Sequence, residues 1–328
     1  MTASVELPLT PLRMGLADLE EAPLAWLLDH ARTGMAGALV TIVGIDGGAP
    51  RPVGTQMAVL ADGRFEGQIS GGCVEPAIAA EVMAVIAAGR DAILRFGRGA
   101  KAIDIQFPCG GGVDVLVHTA PDPAILQRAL TLIAERRPFA LVQHPNGGRT
   151  DIAADPNAMT GWHEGAFRRR FAPKTRALLI GRGQELEATA RTAHAAGLDL
   201  HVASPAPESL AALAPLGVPM TALTSPEQNW LPPIDPWTAT VLLFHDHDWE
   251  LRVLQKALAA DGFYIGALGS PKTHRQRREK LLAHGVAEAE LERIKGPVGL
   301  ISPARDPGTL AISILAEIAQ ERALRPAL

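Results

Sequence analysis

Apolar residues recur along the chain with two different periods, which predict helices and strands. Between residues 75 and 88, Ile78, Val82 and Val85 follow the three- and four-residue spacing of a helix that buries one face. The patterns of the first half predict helices over 23–32, 75–88 and 121–136, and strands over 38–45, 57–60, 92–96, 113–117 and 139–144. The polar stretch from residue 147 to residue 170 predicts an irregular segment.

In the second half, short apolar runs alternate with helical patterns. The predicted strands cover 177–180, 200–203, 240–244 and 264–268, and the predicted helices cover 186–196, 250–260, 271–284 and 308–323. This alternation predicts a parallel sheet covered on both faces. The fold class is therefore predicted as α/β, with an N-terminal α/β domain with glycine-rich loops over 1–172 and a C-terminal Rossmann-like parallel-sheet domain over 173–328.

Composition narrows the function classes. The 328 residues are 47% hydrophobic and 20% charged, which is typical of a globular protein of two domains. A net charge of -4 does not favour nucleic acid or an anionic membrane as partner, and the basic stretch from Lys272 to Lys280 is interpreted as a solvated helix face. No secretion signal or membrane span is predicted, and a chain with two cysteines fits a reducing cytoplasm.

Three glycine-rich segments carry the candidate chemistry of the first half. They contain Pro50, Arg51 and Gly54; Ser70, Gly71, Gly72, Cys73 and Glu75; and Cys109, Gly110 and Gly111. Consecutive glycines let backbone N–H groups converge on an anion, and a helix N-terminus favours phosphate and a thiolate. Arg51 adds a side chain suited to bidentate contact with an oxyanion. Two interpretations stay open: tight turns with inert thiols, or a site in which both cysteines act.

The turn after the first strand of the second half is a poor dinucleotide fingerprint. Gly181 and Gly183 are present, but Leu186 stands where the third glycine is expected. Ser204 follows the second predicted strand, where an NAD-binding domain has an acidic residue. A structural Rossmann domain and a nucleotide-binding one are therefore both open.

Two further segments lie at predicted strand ends of the second half. The string from His245 to Asp248 follows the third strand, where it would ligate a metal or cap the next helix. Gly269 and Ser270 form a turn, and Ser270 before Pro271 predicts a helix N-cap, with a ligand phosphate as the alternative partner.

The motifs of both halves resemble those of the XdhC/CoxI family of accessory proteins. Pro50-Arg51, Gly54, the string Ser70 to Glu75 and Cys109-Gly110-Gly111 resemble the family's N-terminal pattern, and residues 264–270, 297–300 and 311–318 resemble its C-terminal domain. The resemblance covers about residues 23 to 323. The chain departs from the family in the turn at Arg182, commonly Gly-His, and after the second strand, where an acidic residue is common.

The resemblance implies a chaperone rather than an enzyme that turns over a metabolite. Its expected ligand is molybdenum cofactor, as molybdopterin or its cytidine dinucleotide form. Its expected partners are a cysteine desulfurase, an apo-molybdoenzyme of the xanthine dehydrogenase type and, in a homodimer, a second copy. Cofactor contact is expected at Pro50, Arg51, Gly54, Ser70, Gly71, Gly72, Cys73, Glu75, Cys109, Gly110, Gly111, His245, Gly269 and Ser270.

Cys73 and Cys109 are the residues expected to contact molybdenum or relay sulfur, because a soft thiolate suits both roles. Which of the two acts stays open. The alternatives are an NAD(P)-dependent oxidoreductase built on the Rossmann half and a thiol sulfurtransferase.

Overall fold

The chain forms two compact units, with the boundary at the peptide between Pro173 and Lys174. The structure, a computed structural model, describes residues 20–49, 51–72, 74–100, 110–145, 148–228, 230–244 and 249–325. Within these ranges, no helix has both the length and the apolar character needed to cross a membrane.

The first unit contains two antiparallel sheets and three helices within the described ranges. Its strands are β1 (Gly37–Asp46), β2 (Gln56–Leu60), β3 (Phe65–Gly67), β4 (Ala92–Gly97), β5 (Gly112–Thr119), β6 (Phe139–His144), β7 (Arg149–Ala153), β8 (Gly161–His163) and β9 (Ala166–Phe171). Its helices are α1 (Ala22–Ala31), α2 (Glu75–Ala88) and α3 (Pro123–Ala134). The five-stranded sheet has the order β3-β2-β1-β5-β4, and the four-stranded sheet has the order β7-β6-β9-β8.

Side chains on both faces of the five-stranded sheet are buried. Val40 and Val115 point toward α2 and pack with Ile78 and Val82 of that helix. The opposite face packs on α1, α3 and the four-stranded sheet, where Leu39 belongs to the same apolar cluster as residues of all three. Because both faces are covered, β1 is a nearly continuous apolar run rather than an alternating one.

His118 joins the two sheets of the first unit. Its Nδ1 lies 2.6 Å from the Asp91 carboxylate, and its Nε2 lies 2.6 Å from the Thr150 hydroxyl on β7. Asp91 also accepts a hydrogen bond from the Thr119 backbone N–H at 2.9 Å. Every polar group of this buried array is therefore paired, as burial requires.

The prediction of an irregular segment over 147–170 was wrong. β7 and β8 lie inside it, and β9 begins there at Ala166. The sequence of β9 hides its alternation because Arg169 occupies a buried position between Phe167 and Phe171. Its guanidinium is paired with Glu20 at 2.8 Å and with the Gly54 carbonyl at 3.2 Å, so a charge is tolerated on the inner face.

The second unit is a doubly wound α/β domain, as predicted. Its strands are β10 (Arg176–Gly181), β11 (Asp199–Ser204), β12 (Met220–Ala222), β13 (Thr238–Leu243), β14 (Tyr264–Ala267) and β15 (Ile294–Lys295). Its helices are α4 (Gly183–Ala195), α5 (Pro207–Leu213), α6 (Glu250–Leu258), α7 (Pro271–Ala283), α8 (Glu288–Leu291) and α9 (Pro307–Ala323). The parallel sheet has the order β12-β11-β10-β13-β14-β15. The short elements α5, α8, β12 and β15 were not predicted.

Helices cover both faces of this sheet. Leu179 points into one core with residues of α4, α5 and α9, and Leu178 points into the other core with residues of α6, α7 and α8. The side chains of successive β10 residues thus point into opposite cores, which explains why the strand is apolar along most of its length.

A buried ion pair fixes α7 against α6. Arg277 donates from Nε and Nη2 to the two carboxylate oxygens of Glu250, at 2.9 Å each. Both side chains are 2% exposed. Arg277 Nη2 also donates to the Leu268 carbonyl at 2.6 Å, which ties the turn after β14 to the same guanidinium.

Replacing Arg277 by methionine is expected to lower the free energy of unfolding by about 3–5 kcal/mol, because the Glu250 carboxylate would stay buried without its partner. Urea denaturation measures the change. Arg278→Met is the matched control, since Arg278 pairs with a carboxylate that is 73% exposed, on Glu292. That exposed pair is expected to contribute only about 0–1 kcal/mol. Equal losses of unfolding free energy in the two variants would show that the buried pair contributes no more to stability than the exposed one.

Candidate functional site

The three glycine-rich loops lie at one end of the five-stranded sheet. The first loop joins the end of β1 at Asp46 to the start of β2 at Gln56, and the second follows the end of β3 at Gly67. The third lies between Gly97 of β4 and Gly112 of β5. Because neighbouring strands are antiparallel, all these strand ends fall on the same side of the sheet. The described residues of these loops, 47–49, 51–55, 68–72, 74, 98–100, 110 and 111, are called the glycine-loop end below.

The first and third loops are in direct backbone contact. A Cβ atom placed on Gly111 would lie 1.8 Å from the carbonyl oxygen of Gly48. The Arg98 backbone N–H donates to the Gly111 carbonyl at 3.0 Å, which joins the two ends of the third loop to each other. The contact exists only because residue 111 has no side chain.

Two arginines and two aspartates hold the bases of these loops. Arg95 donates to Asp114 at 2.8 Å and to Asp46 at 2.9 Å, and Arg98 donates to Asp46 at 2.8 Å. The Arg95 Nε also donates to the Arg98 carbonyl at 3.0 Å. A single exposed ion pair adds little stability, but a shared network with several fixed partners orders the segments that it joins.

Sequence reasoning missed this network. Asp114 lies inside the predicted strand 113–117, and a carboxylate within an otherwise apolar strand was the available signal. Its partner Arg95 lies on β4, and Arg95 is shared with Asp46 at the end of β1. No local sequence pattern connects these strands.

The second loop is organised around the carboxylate of Glu75, the first residue of α2. One carboxylate oxygen accepts from the backbone N–H groups of Ile69 at 3.1 Å and Ser70 at 2.7 Å. The other accepts from the Ser70 hydroxyl at 2.6 Å, the Gly72 N–H at 3.0 Å and the Val74 N–H at 3.2 Å. Glu75 is therefore the anion on which the N–H groups of this loop converge.

The charged form of Glu75 is stabilised by this arrangement. Burial acts to raise its pKa, but the hydrogen bonds from Ser70 and Gly72 outweigh burial, and the pKa lies below its ordinary value. The side chain is 1% exposed and points into its own loop. Its main effect is thus to shape the loop, and a direct contact with a ligand stays a prediction.

Gly54 and Arg51 differ in their surroundings. Gly54 is buried beneath the second sheet, where a Cβ would lie 2.7 Å from the Thr160 methyl group. Its carbonyl accepts from Arg169, so its observed role is to pack the first loop on β9. Arg51 is half-buried within the first loop.

Gly71, Gly72 and Gly110 are exposed glycines of the glycine-loop end. Gly71 and Gly110 have positive φ angles of 94° and 68°, and a Cβ on either would meet no atom within 4 Å. Their backbone is therefore open to a ligand. Pro50, Cys73, Cys109 and His245 lie outside the described residues.

Gly269 and Ser270 belong to the second unit and organise the start of α7. The Ser270 hydroxyl accepts from the Thr273 N–H at 3.1 Å, which confirms the predicted N-cap. Gly269 lies against Thr273 and Arg277, where a side chain would clash. Ligand contact at these two residues stays a prediction.

The turn at the start of α4 is occupied by protein groups. The Gly183 N–H donates to the Ser209 hydroxyl at 3.0 Å, and that hydroxyl donates to the Glu187 carboxylate at 3.1 Å. A dinucleotide-binding domain presents such an N–H to the pyrophosphate. β11 ends at Ser204 without a carboxylate for a ribose. The geometry does not favour a nicotinamide dinucleotide here.

The described ranges contain no group of three or more His, Cys, Asp or Glu side chains arranged to hold a metal ion.

An α/β unit with three glycine loops at one sheet end, followed by a Rossmann unit, defines the class of protein. Residues 30–97 match the XdhC and CoxI family, and residues 178–318 match the XdhC Rossmann domain. The chain is 38% identical over 312 residues to the molybdenum cofactor insertion chaperone PaoD of Escherichia coli (strain K12), covering 95% of this chain and 92% of that protein. The chain belongs to the XdhC and CoxI family.

Two more distant proteins match the chain over most of its length. A protein of Bacillus subtilis (strain 168) that is described as a probable xanthine dehydrogenase component is 23% identical over 313 residues, covering 87% of this chain and 92% of that protein. The crystal structure of a protein described as a xanthine dehydrogenase from Bacillus halodurans superposes with a TM-score of 0.71 at 20% identity, covering 93% of this chain and 96% of the other. At that identity the superposition shows the shared fold.

Proposed function

We propose that this protein is a molybdenum cofactor insertion chaperone that binds its cargo at the glycine-loop end of the first unit. The observation that carries the proposal is the convergence of three glycine-rich loops at one end of one sheet, with Gly111 in backbone contact with Gly48. The relative in Escherichia coli, which matches nearly the whole chain, is named for the insertion of this cofactor.

The open backbone of this end suits the chemistry of the cargo. Molybdenum cofactor is a pterin with a molybdenum-oxo centre and a phosphate, or a pyrophosphate in its dinucleotide form. The exposed backbone at Gly71 and Gly110 leaves room for close approach of such a ligand. Since the N–H groups of Ser70 and Gly72 already donate to Glu75, we expect the anionic end of the cargo to lie nearer Arg51.

The two cysteines give the proposal its sulfur chemistry. Cys73 stands between Gly72 and Val74 of the second loop, and Cys109 directly precedes Gly110 of the third. A thiolate at either position would bind molybdenum, or would take the outer sulfur of a desulfurase persulfide, release the desulfurase thiol and carry that sulfur as its own persulfide. Sulfuration of the cargo would require a cysteine desulfurase as donor, and delivery would require an apo-molybdoenzyme of the xanthine dehydrogenase type.

Equilibrium titration with molybdopterin and with its cytidine dinucleotide form tests the proposal. We expect tight binding of one form, weakened at least tenfold, about 1.4 kcal/mol, in Cys73→Ala or Cys109→Ala. NADH, which the turn at Gly183 does not favour, is the control ligand. Absence of binding to both cofactor forms would refute the proposal, and tight binding of NADH would support the oxidoreductase alternative instead.

A second measurement separates cofactor binding from sulfur relay. Sulfur transfer is measured in Cys73→Ala and in Cys109→Ala, before and after alkylation of the remaining thiol, at a cofactor concentration that saturates the weakened site. Transfer should persist only in the variant that keeps the relay cysteine, and alkylation of that cysteine should abolish it while the cofactor stays bound. If transfer continues unchanged in both alkylated variants, the cysteines are not sulfur carriers. Light scattering on the same samples tests the expected homodimer.

A further inference from the structure

Helices α6 and α7 of the second unit leave a cavity of about 290 Å³ between them. Its apolar lining consists of Leu251, Leu254 and Leu281. Its polar lining consists of Glu250, Gln276, Arg277 and Lys280. The volume is near the lower limit of small-ligand pockets, which also suits one or two anchoring side chains of a partner.

The charge around the cavity is positive. Glu250 and Arg277 neutralise each other across the buried pair. Outside that pair, helix α7 carries four cationic residues, Lys272, Arg275, Arg278 and Lys280, of which Arg278 pairs with Glu292, against one carboxylate of its own, Glu279, although the whole chain has a net charge of -4. Lys272, Gln276 and Lys280 follow one another at four-residue intervals, so they share the flank of α7 that borders the cavity.

A solvated helix face accounts for the cations but not for the cavity beside them. Leu251 is half-buried at its wall, while Leu254 and Leu281 are buried below. A nucleic acid would meet the cations but offers no aliphatic group for the leucines. A flat anionic membrane would not reach into a concave cavity between two helices.

We propose that this cavity is the docking groove for an acidic amphipathic helix of a partner protein. An aliphatic side chain of that helix would enter the cavity and pack on Leu251, above the buried Leu254 and Leu281, which is the helix-in-groove mode of recognition. Glutamates or aspartates on its flank would face the cationic side of α7, which adds orientation and speeds association. The proposal is independent of cofactor binding, since none of the residues that line the cavity is among the expected cofactor contacts.

Fluorescence anisotropy with labelled synthetic peptides tests the groove. The probe is a helical peptide with leucines at alternating three- and four-residue spacing and glutamates on both flanks. A second peptide has lysines in place of the glutamates. We expect the glutamate peptide to bind at least tenfold more tightly than the lysine peptide, and its affinity to fall as salt rises.

Lys280→Glu and Leu251→Glu are the informative variants, and each is expected to weaken the glutamate peptide at least tenfold. Leu282→Glu is the matched control, because Leu282 lies on α7, is 43% exposed and does not line the cavity. Thermal unfolding checks that the variants fold. If Leu251→Glu does not fold, Lys280→Glu still tests the groove.

Three outcomes would overturn the proposal. They are failure of the glutamate peptide to bind, equal affinity for the two peptides, and equal weakening by Leu282→Glu and Lys280→Glu. Binding of phosphatidylserine vesicles that Lys280→Glu abolishes, without peptide binding, would identify a membrane surface instead. The assay contains no molybdenum cofactor, so its failure is distinct from failure of the proposed chaperone function.

Discussion

Replacing Gly111 by alanine is expected to weaken cofactor binding at least tenfold and to lower the free energy of unfolding by about 1–3 kcal/mol. The new Cβ would lie 1.8 Å from the Gly48 carbonyl oxygen, a distance that no relaxation of a side chain can relieve. The first and third loops would have to separate, although the Arg95 and Arg98 network holds their bases together. The variant therefore tests whether the contact between the loops forms the binding site.

Gly89→Ala is the matched control for this variant. Gly89 ends α2 outside the glycine-loop end, with a positive φ of 64° and open space where a Cβ would stand. Alanine there carries a backbone penalty of about 1–2 kcal/mol but contacts no other residue. Titration calorimetry with the cofactor and urea denaturation measure both variants. If Gly89→Ala lost as much affinity as Gly111→Ala at equal stability, the contact with Gly48 would not be what shapes the site.

The elements that the sequence predicted well are those whose patterns are local. The helix over 75–88 was predicted to the residue because an apolar stripe runs from Ile78 to Val85 and Gly89 ends it in the left-handed conformation. The strand over 139–144 was also predicted to the residue, since it is a short apolar run with a preceding proline. The parallel sheet of the second unit followed from the alternation of strands and helices.

The missed elements depend on partners that are distant along the chain. β9 was missed because Arg169 is buried, and its charge is acceptable only beside Glu20, 149 positions away. Likewise, the glycine clusters were visible in the sequence, but their convergence depends on the antiparallel order of β1 to β5. A pattern within one segment cannot report such contacts.

The role of Glu75 shows the same limit within the candidate site. The sequence placed it at a helix N-terminus beside paired glycines, which are typical of an anion-binding loop. The structure shows that the anion at this position is the carboxylate of Glu75 itself, which accepts from Ile69, Ser70, Gly72 and Val74. The N–H groups of this loop converge on an anion, but that anion is the Glu75 side chain of the chain itself. Binding of an external anion here stays a prediction.

Glu75→Gln is expected to lower the free energy of unfolding by about 3 kcal/mol and cofactor affinity by at least tenfold. An amide nitrogen cannot accept a hydrogen bond, so either the pair of donors on one oxygen or the three on the other would lose their acceptor, and each buried unpaired donor costs about 1–3 kcal/mol. Glu81→Gln is the matched control, because Glu81 is exposed on the same helix α2.

The pH dependence of stability distinguishes a carboxylate whose charged form is stabilised by hydrogen bonds from one whose charged form is destabilised by burial. The pKa of Glu75 in the folded protein lies below its ordinary value of 4.5, because hydrogen bonds from Ser70 and Gly72 outweigh burial, which alone would raise it. The stabilisation by the charged form is therefore complete well above pH 4.5 and is lost as the pH falls through the folded-state pKa. The stability difference between the native chain and Glu75→Gln should be constant near neutral pH and should shrink in acid.

Urea denaturation at a series of pH values measures this difference, and cofactor titration at neutral pH measures the effect on binding. Loss of affinity with a pH-dependent loss of stability would establish that Glu75 acts by holding the second loop in shape. A stability difference that grows as the pH falls would mean that the buried carboxylate is destabilised, contrary to its five hydrogen bonds. If a folded Glu75→Gln variant keeps its affinity for the cofactor, the second loop is not part of the binding site. The site would then be formed by the first and third loops, which are in contact through Gly48 and Gly111.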